Sequence, residues 1–101
     1  MKMLLVIYRQ SLEDDVRDLL RDLDVKAFTE APKVFGIGEA GTANSSFEWP
    51  GCNSLILAAM EEDQASKVIG ELQAFRDRLS KRQNGAKIPM RVFALPCEQA
   101  V

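Results

Sequence analysis

Histidine is absent from this 101-residue sequence, and cysteine occurs only twice, as Cys52 and Cys97, with no C-x-x-C pair. Without histidine a single chain cannot assemble a Ser-His-Asp triad or a Cys-His dyad. A closed zinc site of Cys and His ligands is excluded within one chain for the same reason. An excess of positive charge is also missing. Thirteen Lys and Arg residues stand against 15 Asp and Glu, giving a net charge of −2 and a pI near 5.1. Nucleic-acid binders are usually basic, so no nucleic-acid partner is expected. No apolar run reaches membrane-spanning length, so no direct membrane insertion is expected. The run Met1 to Tyr8 is too short for a signal-peptide core, and no small-residue cleavage motif follows it, which makes the cytoplasm the expected location. Aromatics are sparse, with one Trp and one Tyr.

What is present is a hydrophobic fraction of 47%, enough for one small core and one domain spanning residues 1–101. Lys2 to Tyr8 (KMLLVIY) is a short apolar run with branched and aromatic residues, the pattern of a strand covered on both faces. Ser11, with Asp14 three residues on, marks a helix start. Leu12, Val16, Leu19, Leu20 and Leu23 then recur at helical spacing, and Glu13 with Arg17 makes an i, i+4 pair on the wet side. Lys26 to Phe35 (KAFTEAPKVF) predicts a second strand. Pro32 cannot donate to a ladder, which assigns that strand to an edge or a bulge.

Residues 34–53 (VFGIGEAGTANSSFEWPGCN) are rich in Gly, Ser, Thr and Asn, the composition of a long loop between strands. Asn53 to Met60 (NSLILAAM) predicts a third strand. Asp63 is placed to cap a second helix, whose stripe is Ala65, Val68, Ile69, Leu72, Phe75 and Leu79. Gly70 within that helix costs about 1 kcal/mol of propensity and implies close packing there. Asn84-Gly85 ends the helix. Lys87 to Leu95 (KIPMRVFAL) predicts the last strand, and Pro89 assigns it to an edge.

The order βαββαβ, with two right-handed crossovers, predicts an α+β, ferredoxin-like four-stranded antiparallel sheet of order 4-1-3-2 with both helices on one face. That order places the two proline-bearing strands at the two edges, as their prolines require. Strands one and three are apolar on both faces, so the second face needs a cover, and further copies of the chain are the simplest one. The topology gathers Arg9-Gln10, the long loop and Arg82 to Lys87 at one rim, where a ligand site is expected.

Gly36, Gly38 and Gly41 spell G-x-G-x-x-G, but Thr42-Ala43-Asn44-Ser45-Ser46 opens no helix, so the glycines read as a loop and not as a dinucleotide fingerprint. Arg76, Arg78, Lys81, Arg82, Lys87 and Arg91 concentrate positive charge near the second helix's end, which complements its C-terminal dipole or forms a phosphate-binding rim. Glu61-Glu62-Asp63 reads as a helix N-terminus, not as a catalytic carboxylate pair. With no acid/base constellation visible, no enzymatic activity is expected.

Together, KMLLVIYRQSLEDDVRDLL, Phe28-Thr29-Glu30 leading into Phe35-Gly36, Asn84-Gly85-Ala86-Lys87-Ile88 and Val92-Phe93-Ala94-Leu95-Pro96 resemble the PII-like signalling proteins over nearly the whole chain. The resemblance implies a homotrimer with sheets facing inward. It implies adenine-nucleotide clefts between subunits, and a T-loop that engages a membrane transporter or an enzyme. The ligand-binding candidates are Arg9, Gly36, Gly38, Gly85 and Lys87, of which Gly36, Gly85 and Lys87 are the nucleotide-contacting positions by that resemblance. The partner-binding candidates on the loop are Glu39, Thr42, Asn44, Phe47 and Trp49, with Trp49 also suited to packing at the loop base or a subunit contact. Two departures stand out. Asn84-Gly85-Ala86-Lys87 keeps only part of the family's Thr-Gly…Gly-Asp-Gly-Lys B-loop, and the loop has no tyrosine. An alternative is a CutA-like trimer of the same fold that binds soft metal through Cys52, Cys97 and the methionines. The strand directions place those two cysteines at opposite rims.

Overall fold

The computed structural model describes residues 1–35 and 53–101. Its elements are β1 (Lys2–Arg9), a 3-10 turn (Gln10–Leu12), α1 (Glu13–Asp22), β2 (Thr29–Val34), β3 (Asn53–Met60), α2 (Glu62–Arg82) and β4 (Met90–Pro96). The four strands form one antiparallel sheet of order β2-β3-β1-β4. This is the expected ferredoxin-like order 4-1-3-2 read from the other edge, with β2 and β4 outermost.

Alternation along the strands separates the two faces. Leu4, Val6 and Tyr8 of β1 and Ile56, Ala58 and Met60 of β3 point to the helices and are buried. They meet Val16 and Leu20 of α1, and Ala65, Val68, Leu72 and Phe75 of α2. Val92 packs on the same cluster. The opposite face carries Met3, Leu5, Ile7, Leu55 and Leu57, with Leu5 opposite both Leu57 and Phe93 and Ile7 opposite Leu55. Apolar residues thus line both faces of the central strands, and the helices cover one. Leu4, Val6 and Val92 face the helices, so the uncovered face is made by their alternating neighbours Met3, Leu5 and Ile7 together with Leu55 and Leu57.

The element ends depart from expectation in instructive ways. Ser11 does not cap α1. It lies inside the 3-10 turn, and the capping position is Leu12, with no side-chain bond. Glu13, Asp14 and Asp15 fill the first turn instead, where carboxylates favour the helix dipole. Asp63 likewise sits within the first turn of α2. The capping position is Glu61, whose carbonyl accepts the Ala65 N–H at 2.9 Å. Gly70 is exposed, and a Cβ there would meet nothing within 4 Å, so close packing is not its reason. Pro89 precedes β4 rather than lying within it. In β2 the register shifts between Ala31 and Val34, and Lys33 adopts φ 56°. The bulge forms around Pro32, which has no N–H to offer a ladder.

Helix α1 stops without glycine. Asp24 takes φ 61°, and the Val25 N–H bonds the Leu20 carbonyl at 2.9 Å, a Schellman closure in which a short polar side chain tolerates the left-handed region. Helix α2 stops as expected. Asn84 and Gly85 have φ 58° and 82°, and the Gly85 N–H bonds the Ser80 carbonyl at 2.8 Å.

Candidate functional site

The rim at the end of β1 is built by backbone. Arg9 lies opposite Asn53, the first described residue after position 52, and Asn53 also lies opposite Val34. On the other side the Arg9 N–H donates to the Pro89 carbonyl at 3.1 Å. The end of β1, the end of β2, the start of β3 and the lead into β4 therefore meet at one place. Gly85 follows the end of α2, and the turn there is tied by the Ser80 hydroxyl, which donates to the Ala86 carbonyl at 2.9 Å. Lys87 is exposed beside it, and its neighbour Ile88 is buried in the core, fixing the backbone between them. Of the ligand-binding candidates, Arg9, Gly85 and Lys87 thus flank the expected rim. Gly36 and Gly38 lie outside the described residues, as do Glu39, Thr42, Asn44, Phe47 and Trp49. Cys97 is at the far end of the sheet, where its N–H bonds the Met1 carbonyl at 3.2 Å. Cys52, its proposed metal partner, lies outside the described residues.

The basic residues of α2 do not form one patch. Arg78 and Arg82 line a groove of about 390 Å³ between the helices, facing Asp15, Asp18 and Asp22 of α1. Arg76 lines a second groove, of about 330 Å³, along β4 with Arg91 and Phe93. Neither groove includes Arg9, Gly85 or Lys87.

A polar cluster that the sequence reading did not assemble lies on the helix side of the same end of the sheet. Arg17 donates from Nε to Glu30 Oε2 at 2.8 Å and from Nη2 to Glu30 Oε1. Its Nη2 is also 3.6 Å from Glu13 Oε1. The fully buried Ser54 hydroxyl donates to the same Glu13 oxygen at 3.1 Å. The Arg17 fork holds the Glu30 carboxyl below its ordinary range, and Glu30 in turn raises the guanidinium. Tyr8, opposite Ser54, is buried, and its hydroxyl has no hydrogen-bond partner among the described residues. Burial, then the charges of Glu30 and Glu13, push its phenol up to about 12. The sequence did show Glu13 and Arg17 as a helical pair. The register that sets Glu30 opposite the helix-facing Ile56 brings in the rest, and no periodicity in β2 signals it.

The family of nitrogen regulatory protein P-II matches residues 1–101. The chain belongs to that family. Among solved structures, it is similar to CPII from Thiomonas intermedia K12, a nitrogen regulatory PII-like protein bound to ADP, AMP and bicarbonate. The identity is 22% over 92% of this chain and 86% of that one, with a TM-score of 0.68. The apo form of CPII gives 20% identity over 93% and 85%, with a TM-score of 0.65. A PII-like protein from Thermus thermophilus gives 15% over 93% and 82%, with a TM-score of 0.59. At these identities the likeness is one of fold. Among curated proteins, none matches the sequence. Within the described residues, no helix of this P-II family chain is long and apolar enough to cross a membrane.

Proposed function

We propose that this P-II family chain is a homotrimeric, non-enzymatic regulatory protein of the cytoplasm. It binds a small anionic effector, an adenine nucleotide foremost, in clefts between subunits. It reports through residues 36–50 to a partner such as a membrane transporter. The observation that supports the reading is the rim: Arg9, the two strand ends that flank residues 36–52, and the lead into β4 at Pro89 converge there, and Gly85 and Lys87 precede Pro89 in the chain. Glycine at 85 leaves the backbone accessible to a phosphate, and Arg9 and Lys87 supply cationic donors. In the proposed trimer a neighbouring subunit completes the enclosure of the ligand at this rim. The ligands of CPII, a protein of the same fold, support the choice of nucleotide and bicarbonate as probes.

Calorimetry against ATP, ADP, AMP, cyclic nucleotides and bicarbonate tests the reading. Binding by at least one nucleotide, weakened about tenfold or more by Lys87→Ala as expected for loss of a charge-assisted contact, is the expected result. No heat with any probe removes the nucleotide, and an unchanged affinity in Lys87→Ala removes that residue from the site.

A further inference from the structure

Strand β2 is poorly secured by its own ladder. It pairs on one side only, and its register breaks at the bulge after Ala31. None of its residues is fully buried, whereas β1 and β3 each bury alternate side chains in the core. Apolar packing and backbone pairing therefore leave β2 the least anchored strand, the kind of element that opens before the rest. What does hold it is the Arg17 fork on Glu30, whose side chain is only 12% exposed. The neighbouring strand is tied to the same helix turn, through Ser54 and Glu13, and Arg17 closes the gap between the two ties.

We propose that Glu13 and Arg17 form a clamp by which α1 sets the position of β2 against the start of β3, the two strand ends that flank residues 36–52, and that Arg17 is its positioning residue. Opening the clamp releases β2 while β1, β3, β4 and the helices stay folded. The clamp adjoins Arg9 through the 3-10 turn, residues 10–12, so a displacement at the end of β1 reaches Glu13 over a single turn of chain. The inference rests on the ion-pair geometry and stands whether or not the rim binds a nucleotide.

Hydrogen exchange on the full chain, read by mass spectrometry, tests it. In Arg17→Met, amides of 29–34 are expected to exchange about tenfold faster, the loss of one charge-assisted fork, with those of β1 and α2 nearly unchanged. Glu30→Gln, which keeps shape and removes charge, should act in the same direction should the Met variant fold poorly. Arg17→Lys should restore part of the protection, since lysine keeps the charge but not the fork. Two results overturn the clamp. One is wild-type exchange in 29–34 for both Arg17→Met and Glu30→Gln. The other is an equal acceleration in β1 and α2, which marks a general loss of stability.

Discussion

Tyr8 is the only tyrosine in the chain, so its titration can be read directly from absorbance. Its hydroxyl is buried beside two carboxylates, and burial and charge both disfavour the phenolate. The midpoint is expected near about 12 rather than the ordinary value near 10. A midpoint at the ordinary value would show that the ring is solvated. Because the folded value is raised, the linked stability is fully present below the unfolded value and disappears as pH rises through the folded one. Tyr8→Phe removes a buried hydroxyl that has no hydrogen-bond partner among the described residues, so it should leave stability unchanged or raise it by about 1 kcal/mol in urea unfolding. Glu30 has the opposite sign. Its carboxyl is held low by Arg17, so its contribution is present above the ordinary carboxylate range and is lost as pH falls through the lowered folded value. The clamp on β2 should therefore be intact at neutral pH and open only in acid.

At the scale of elements, two glycines near the second helix make contrasting predictions. Gly70 is exposed mid-helix with open space around it. Gly70→Ala should stabilise by roughly 0.5–1 kcal/mol, because alanine loses less backbone freedom there. Gly85 has φ 82°, a left-handed conformation that costs a side chain roughly 1–2 kcal/mol, so Gly85→Ala should destabilise. Urea midpoints moving in the same direction for both would contradict this account of how α2 continues and stops. The same elements show what could be read from the sequence. The strand order was legible because the βαββαβ order allows it and Pro32 demands an edge, whereas Pro89, read as a second edge signal, lies before β4. The stop of α2 was legible in Asn84-Gly85. The stop of α1 was not, since Asp24 occupies the left-handed position and nothing in its identity requires that. Nor was the Arg17–Glu30 pair: its members are 13 residues apart, and only the docking of α1 across β2 brings them together. At the candidate rim, strand direction alone places Arg9 at the end of β1, whereas Lys87, expected on the last strand, lies before β4.

For the whole molecule, the question is what covers the second face of the sheet. Phe93 and Leu95 are 48% and 47% exposed there, next to Leu5, Met3 and Leu57. Burying one large apolar side chain is worth roughly 1.5–3 kcal/mol, so burying half a dozen rivals the entire net stability of a small domain, about 5–15 kcal/mol. A face of that kind, mirrored on every copy, favours a closed symmetric assembly, and the threefold arrangement of the proposed function uses it. Phe93→Asp separates assembly from folding, because Phe93 is already half exposed within one chain. Its replacement therefore removes little from the monomer's own core, but it puts a charge into any interface formed by this face, where an unpaired charge is costly. Gel filtration with light scattering should give a mass of three chains for the wild type at micromolar concentration and a smaller one for Phe93→Asp, with the helical circular dichroism of both alike. A wild-type mass of one chain would rule out the trimer, and with it the inter-subunit cleft that the ligand reading needs. A trimer that persists in Phe93→Asp would mean that the subunits meet elsewhere, and that the apolar face has another cover.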